Sequence, residues 1–140
     1  VTPLPFYPAC FLIITPDIQI PNKTAALYGR IQPEHYTNGR VTQRLVEDIW
    51  AGRKLKEPHQ WNAFDRPAFA LMPQLHDLRL ALLQVAWSRP HLCGAGPSLF
   101  APIPSVAHGE RMIQALGLQE LGRCFAVEAT PKSADFTFED

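Results

Sequence analysis

The stretch Pro90-His-Leu-Cys-Gly-Ala-Gly-Pro-Ser-Leu-Phe100 decides the fold class, because it sets two short apolar runs on either side of a glycine turn. The runs, His91 to Gly94 and Leu99 to Ile103, have the length and the bounding residues of buried strands. Glycine adopts positive φ at little steric cost, so Gly94 and Gly96 let the chain reverse sharply between the runs. The stretch therefore predicts two strands joined by a tight turn.

Two further strands are predicted towards the two ends of the chain. Ala9 to Thr15 is a short apolar run bounded by Pro8 and Pro16, which favours a buried strand over a helix. Arg123 to Thr130 alternates in side-chain character, as expected of a strand whose two faces meet different surroundings.

The spacing of apolar residues predicts helices over most of the remaining chain. Asn22 is a favoured N-cap residue and precedes a predicted helix from Lys23 to Arg30. A second pattern covers Arg40 to Ala51, and a third covers Val106 to Leu116 before Gly117, a favoured C′ residue. The apolar face predicted for the second helix consists of Val41, Leu45, Ile49 and Trp50.

Two more helices are predicted in the middle of the chain. Asn62 can cap the first of them, which is expected to be kinked or broken at Pro67, since the proline ring clashes with the preceding turn. Pro73 opens the second, whose inward residues are predicted to be Leu75, Leu78, Leu82 and Leu83.

The order of these elements predicts an α+β fold. A four-stranded, mostly antiparallel sheet with helices packed on one face, a ferredoxin-like sandwich, buries the apolar runs most economically. We expect a linker or entry arm over residues 1–8, because its three prolines exclude a helix, one domain over residues 9–130, and a mobile, acidic tail over residues 131–140.

Composition excludes several classes of function. Thirteen Lys and Arg balance thirteen Asp and Glu, so the chain has no electrostatic footprint for nucleic acid or an anionic membrane. The longest apolar run, Ala9 to Ile14, is too short to span a bilayer. The three cysteines lack the spacing of metal ligands, as do the histidines, so we expect no metal site. An odd number of cysteines without a Cys-x-x-Cys motif favours reduced thiols and a cytoplasmic protein.

The glycine turn has two interpretations on physical grounds. It can be only a hairpin connection between two strands. Alternatively, Gly94 and Gly96 allow backbone N–H groups to approach a bound anion, with Ser98 adding a hydroxyl donor, although Pro97 removes one N–H. The sequence alone leaves both interpretations open.

A family resemblance bears on this choice. His91 to Phe100 resembles the third motif of the GHMP kinases, and of the diphosphocytidyl-methylerythritol kinases among them. Three other segments line up with the family in the same order: Thr2-Pro-Leu-Pro5 with a joining segment, Lys23-Thr-Ala25 running to Tyr28, and Asn62-Ala-Phe64 at the start of a helix.

The resemblance implies the C-terminal domain of a phosphotransferase that uses ATP and Mg²⁺. Its implied reaction moves the γ-phosphoryl group of ATP to the 2-hydroxyl of 4-diphosphocytidyl-2-C-methyl-D-erythritol, in non-mevalonate isoprenoid synthesis. In such kinases an N-terminal domain carries the glycine-rich phosphate loop and a catalytic Lys and Asp. This sequence has no Gly-Leu-Gly-Ser-Ser segment, so it is expected to contain no catalytic residue, to bind no cofactor and to be inactive alone.

The resemblance also assigns candidate site residues. Gly94, Ala95, Gly96 and Ser98 are expected to form a wall of the phosphate and substrate pocket. Ala95 stands where the family often has Ser or Thr, so backbone contacts are expected there. Thr24 and Asn62 are expected to face the same pocket, which would lie against the missing N-terminal domain.

Two alternatives follow from the same residues. The chain could be a free-standing ferredoxin-like binding or regulatory module, since a fold does not decide a function. It could also be the C-terminal domain of another GHMP kinase, of homoserine or mevalonate type, because these share a third motif with two glycines. An uncovered inter-domain face would favour self-association.

Overall fold

A computed structural model describes residues 3–54, 61–84 and 89–131. Its elements, in chain order, are β1 (Cys10–Thr15), α1 (Lys23–Tyr28), α2 (Arg40–Trp50), α3 (Asp65–Leu71), α4 (Gln74–Leu83), β2 (His91–Leu92), β3 (Leu99–Ile103), α5 (Val106–Ala115) and β4 (Arg123–Glu128). Short 3₁₀ turns follow α1 and α5, at Pro33–His35 and Leu118–Glu120. The predicted tail falls outside the described residues except for Pro131, as do residues 1 and 2 of the predicted arm.

The four strands form one sheet in the order β2-β3-β1-β4. Every neighbouring pair is antiparallel, and β1 lies in the centre, with Ile13 opposite both Phe100 of β3 and Phe125 of β4. The two end strands of the sequence are therefore neighbours in space, as in an interleaved ferredoxin-like sheet. This arrangement confirms the predicted α+β sandwich.

The core lies on one face of this sheet. Alternate residues of β1 point to it, and Leu12 and Ile14 are fully buried there. Helices α1, α3, α4 and α5 add their apolar stripes to the same cluster. Its buried members are Leu12, Ile14, Leu27, Ala68, Phe69, Met72, Leu75, Leu78, Leu82, Leu92, Leu99, Ile103, Ile113 and Leu118.

The opposite face of the sheet is apolar but less covered. The rings of Phe11 and Phe100 meet edge to face, with centroids 5.7 Å apart. Phe125, on the edge strand β4, is 48% exposed. We call Phe11, Ile13, Phe100 and Phe125 the outer sheet face.

The prediction of a kink or break at Pro67 is wrong. Pro67 is the third residue of α3 and is buried. In the first turn of a helix the backbone N–H has no intrahelical partner, so a proline is tolerated there. The error came from starting the helix at Asn62, whereas α3 begins at Asp65.

Two predicted inward residues are exposed instead. Trp50 is 58% exposed and Leu83 is 45% exposed. A helix turns about 100° per residue, so Trp50 points away from the side that carries Val41. Leu83 lies beyond the edge of the stripe made by Leu75 and Leu82, at the last residue of α4.

Two further predictions need correction in detail. Asn22 does occupy the N-cap position of α1, but it has a left-handed backbone, with φ of 49°, and its side chain makes no capping hydrogen bond. Strand β2 ends at Leu92, two residues earlier than predicted, because Cys93 and Gly94 already belong to the turn.

Candidate functional site

The loop from Cys93 to Ser98 connects β2 to β3, and we call it the glycine loop. Two backbone hydrogen bonds within the loop close it. The Cys93 N–H donates to the Ser98 carbonyl at 2.9 Å, and the Gly96 N–H donates to the Cys93 carbonyl at 2.8 Å. Gly94 and Gly96 have φ values of 52° and 67°, in the left-handed region that favours glycine. The predicted glycine turn is therefore a hairpin connection, and its backbone conformation favours glycine at both positions.

Asn62 joins the glycine loop to the start of α3. Its side-chain amide donates to the carbonyl of Leu92 at 3.1 Å and to that of Gly94 at 2.8 Å. Its side-chain oxygen accepts from the Phe64 N–H at 2.9 Å. One side chain thus satisfies the Phe64 N–H just before α3 and also holds two carbonyls of the hairpin. The prediction that Asn62 is the N-cap is wrong, because Phe64 occupies that position, and its expected approach to a pocket stays a prediction.

Lys23 is a loop contact that sequence reasoning missed. It is the first residue of α1, it is half-buried, and its ammonium donates to the Gly96 carbonyl. The sequence did contain a signal. The positive end of the helix dipole disfavours a lysine at a helix N-terminus, so a lysine at this position indicates a compensating contact elsewhere. The neighbouring candidate, Thr24, is exposed and makes no side-chain hydrogen bond within the described residues.

Thr15 and Ser98 form a third link to the loop. Their hydroxyl oxygens, Oγ1 of Thr15 and Oγ of Ser98, lie 3.0 Å apart in a half-buried hydrogen bond. Thr15 is the last residue of β1, so the central strand of the sheet also positions the end of the loop. The sequence candidates Gly94, Ala95, Gly96 and Ser98 are thus brought together with Asn62, and Lys23 and Thr15 join them.

An open cleft of about 770 Å³ begins at Thr15, beside this third link. Its opposite wall is the segment that leads from the last 3₁₀ turn into β4. Its lining residues include Asp17, Glu120 and Arg123 together with Phe125. Such a mixed lining suits a polar ligand that also carries an apolar surface.

The thiol at the start of the loop is not set up as a nucleophile. Burial raises the pKa of the Cys93 thiol, and burial likewise raises the pKa of Cys124. A raised pKa keeps the neutral thiol dominant at neutral pH, and the thiolate is the reactive form. All three cysteines are free in this structure, and the expectation of reduced thiols in solution stays a prediction.

A separate polar cluster fixes α3 against α4. Arg79 pairs with Asp65 at 2.6 Å, and its guanidinium carbon lies 3.6 Å from the centre of the Phe69 ring. Burial lowers the pKa of Arg79, while the Asp65 carboxylate acts against that shift. Arg89 adds a longer contact to Asp65 at 3.8 Å. This cluster supports the helix that follows Asn62 and so supports the loop indirectly.

Across residues 3–54, 61–84 and 89–131, no group of three His, Cys, Asp or Glu side chains is arranged to hold a metal ion. In the same part of the chain, no helix has the length and apolarity that crossing a bilayer would require.

Known proteins similar to this chain include curated relatives from two bacteria. A protein from Dehalococcoides mccartyi named 4-diphosphocytidyl-2-C-methyl-D-erythritol kinase is 38% identical over 102 residues, which is 71% of this chain and 36% of the relative. A Thermus thermophilus protein of the same name is 26% identical over 124 residues, 89% of this chain and 42% of the relative. The chain therefore spans about two fifths of the length of these relatives. No protein-family model matches the sequence.

Two solved structures have the same fold. A crystal structure of 4-(cytidine 5'-diphospho)-2C-methyl-D-erythritol kinase matches with a TM-score of 0.72 and 25% identity, over 91% of this chain and 45% of that one. Homoserine kinase from Cytophaga hutchinsonii matches with a TM-score of 0.60 and 19% identity, over 91% of this chain and 43% of that one. At that identity the second match speaks for the fold alone.

Proposed function

The chain is a homologue of the 4-diphosphocytidyl-2-C-methyl-D-erythritol kinases, which belong to the GHMP superfamily, and we propose that it forms the C-terminal, substrate-side domain of such an enzyme. The whole protein would transfer the γ-phosphoryl group of ATP to the 2-hydroxyl of 4-diphosphocytidyl-2-C-methyl-D-erythritol, in the cytoplasm. The 38% identity over 71% of the chain supports this substrate over homoserine, whose kinase is similar in fold only.

The observation that carries the proposal is the anchoring of the glycine loop. Side chains from three separate places in the chain, Thr15, Lys23 and Asn62, form hydrogen bonds with it. A loop that only reversed the chain would need none of them, since its own two backbone hydrogen bonds close it. Rigid loops of this kind suit phosphoryl transfer, where catalysis depends mainly on positioning and charge stabilisation.

The backbone of the loop supplies the donors for the proposed pocket wall. Asn62 holds the Gly94 carbonyl, while the N–H groups of Gly94 and Ala95 have no backbone acceptor within the described part of the chain. Such N–H groups can donate to phosphate or hydroxyl oxygens of a ligand. We assign the wall to Gly94, Ala95, Gly96 and Ser98, with Asn62 behind it and Thr24 exposed nearby.

The remaining parts of the enzyme would lie outside this chain. We propose that an N-terminal domain supplies the phosphate loop, the Lys and Asp pair, and the sites for ATP and Mg²⁺. Without that domain, the outer sheet face or the cleft at Thr15 would be uncovered. An uncovered apolar face favours self-association. The 140-residue chain alone is then expected to be inactive.

Two experiments test this proposal. The coding DNA upstream of the Val1 codon is expected to continue the reading frame and to encode a Gly-Leu-Gly-Ser-Ser segment. A start codon directly before Val1, preceded by a stop codon in the same frame, would favour the free-standing module instead. Calorimetric titration of Mg-ATP into the isolated chain should give no binding heat, and micromolar binding would contradict the assignment of the nucleotide site to another domain.

A further inference from the structure

We propose that Lys23 is a positioning residue for the glycine loop: its ammonium group fixes the Gly96 carbonyl and thereby the backbone of the proposed pocket wall. This inference rests on the proposed function for its catalytic consequence. Its structural part concerns this chain alone and is tested separately below.

The surroundings of Lys23 favour this role. Its side chain is half-buried, and no carboxylate forms an ion pair with it in the described ranges 3–54, 61–84 and 89–131. The contact with Gly96 spans 73 residues of sequence, so it is a tertiary contact and not a local helix feature. A hydrogen bond from an ammonium group to a carbonyl is stronger than a neutral one, and burial strengthens it further.

Gly96 is the point in the loop where such a contact has most effect. Its φ of 67° is left-handed, and a side chain there would meet the Leu92 Cδ1 atom at 2.8 Å. Its N–H is already bonded to the Cys93 carbonyl. With Lys23 on its carbonyl, both polar groups of Gly96 are held, so the peptide plane that leads to Pro97 and Ser98 has a fixed orientation.

Lys23 and Asn62 divide the loop between them. Asn62 holds the carbonyl of Leu92, just before the loop, and that of Gly94 in its first half, and Lys23 holds the carbonyl of Gly96 in the second half. The N–H groups of Gly94 and Ala95 lie on either side of the Gly94 carbonyl that Asn62 holds, and both precede the Gly96 carbonyl that Lys23 holds. Loss of either attachment is expected to loosen the segment that carries those donors.

Amide hydrogen exchange on the 140-residue chain tests the structural part. Lys23→Met removes the donor and keeps the length of the side chain, Lys23→Arg keeps donors, and Lys54→Met makes the same charge change at an exposed site. Lys23→Met should speed exchange of the Cys93 and Gly96 amides about tenfold, with the amides of β1 unchanged. Lys23→Arg should recover most of the protection, and Lys54→Met should leave the loop as in the wild type.

Kinetics of the full-length kinase test the catalytic part. Lys23→Met should lower kcat by about ten- to a hundredfold through misplacement of the loop, with the KM for ATP unchanged and with partial rescue by Lys23→Arg. Equal loop exchange in the wild type and Lys23→Met overturns the inference, whatever reaction the protein catalyses. Faster loop exchange with unchanged kcat overturns the link to the pocket. Failure of the proposed function would look different, because wild-type protein would then show no kinase activity while the exchange result stood.

Discussion

The side-chain amide of Asn62 donates a hydrogen bond to the Gly94 carbonyl at 2.8 Å, although 32 residues separate the two in the sequence. The same side chain accepts a hydrogen bond from the Phe64 N–H. Asn62 therefore does two things with two different atoms, one local and one long-range. Substitutions that remove only one of them can separate the roles.

Asn62→Asp is expected to lower the free energy of unfolding by about 1–3 kcal/mol, because it keeps the acceptor for Phe64 but puts a carboxylate against two carbonyl oxygens. Urea unfolding of the chain measures this. Asn38→Asp is the matched control, since Asn38 accepts from the Arg40 N–H at 3.2 Å before α2 and is exposed. The control should change stability by less than about 0.5 kcal/mol. Equal changes in the free energy of unfolding at both sites would mean that the contact of Asn62 with the glycine loop does not contribute to stability.

Alanine at the two loop glycines should differ in cost. Both positions have positive φ, so each substitution brings backbone strain of about 1 kcal/mol. The new Cβ at Gly94 meets nothing within 4 Å, whereas at Gly96 it lies 2.8 Å from Leu92 Cδ1 and 3.5 Å from Met72 Cε. Overpacking against these buried side chains should cost a further 1–3 kcal/mol, roughly. Thermal unfolding of Gly94→Ala and Gly96→Ala compares them, and a Gly94→Ala variant that is the less stable of the two would contradict this packing.

The buried thiols predict a loss of stability in alkaline solution. Because burial raises the pKa of Cys93 and Cys124 in the folded state, the unfolded chain ionises first as pH rises. The thiol contribution is therefore complete below the ordinary thiol pKa of about 8.5 and falls as pH rises through the folded values. Unfolding free energies measured from pH 7 to pH 10 should decline less in Cys93→Ala than in the wild type. Identical slopes would show that Cys93 ionises as freely in the folded chain as in the unfolded one.

Much of the fold follows from local sequence. The apolar run of β1 and the paired runs around the glycine loop predict strands, and antiparallel pairing is the simplest way to bury them. The predictions that proved wrong concerned where a helix begins and which side of it faces the core. Pro67 does not kink α3 because that helix begins at Asp65, which puts the proline in the first turn. Trp50 and Leu83 lie outside the buried sides of their helices, as 3.6 residues per turn requires.

The candidate site was only partly predictable. The turn at the two loop glycines could be predicted from the sequence, because few other residues adopt positive φ. The side chains that hold the loop carry no such local signature: Lys23 and Gly96 are 73 residues apart, and Thr15 and Ser98 are 83 residues apart. Pairings over that distance depend on how the sheet is threaded, which places the end of β1 and the start of α1 beside the β2–β3 turn.

Phosphoryl transfer by the full-length protein tests the central claim most directly. The protein would be incubated with Mg-ATP and either 4-diphosphocytidyl-2-C-methyl-D-erythritol or homoserine, and the phosphorylated products would be identified by phosphorus NMR and mass spectrometry. We predict ATP-dependent phosphorylation of the first compound at its 2-hydroxyl and none of homoserine. No transfer to 4-diphosphocytidyl-2-C-methyl-D-erythritol by folded full-length protein would contradict the account.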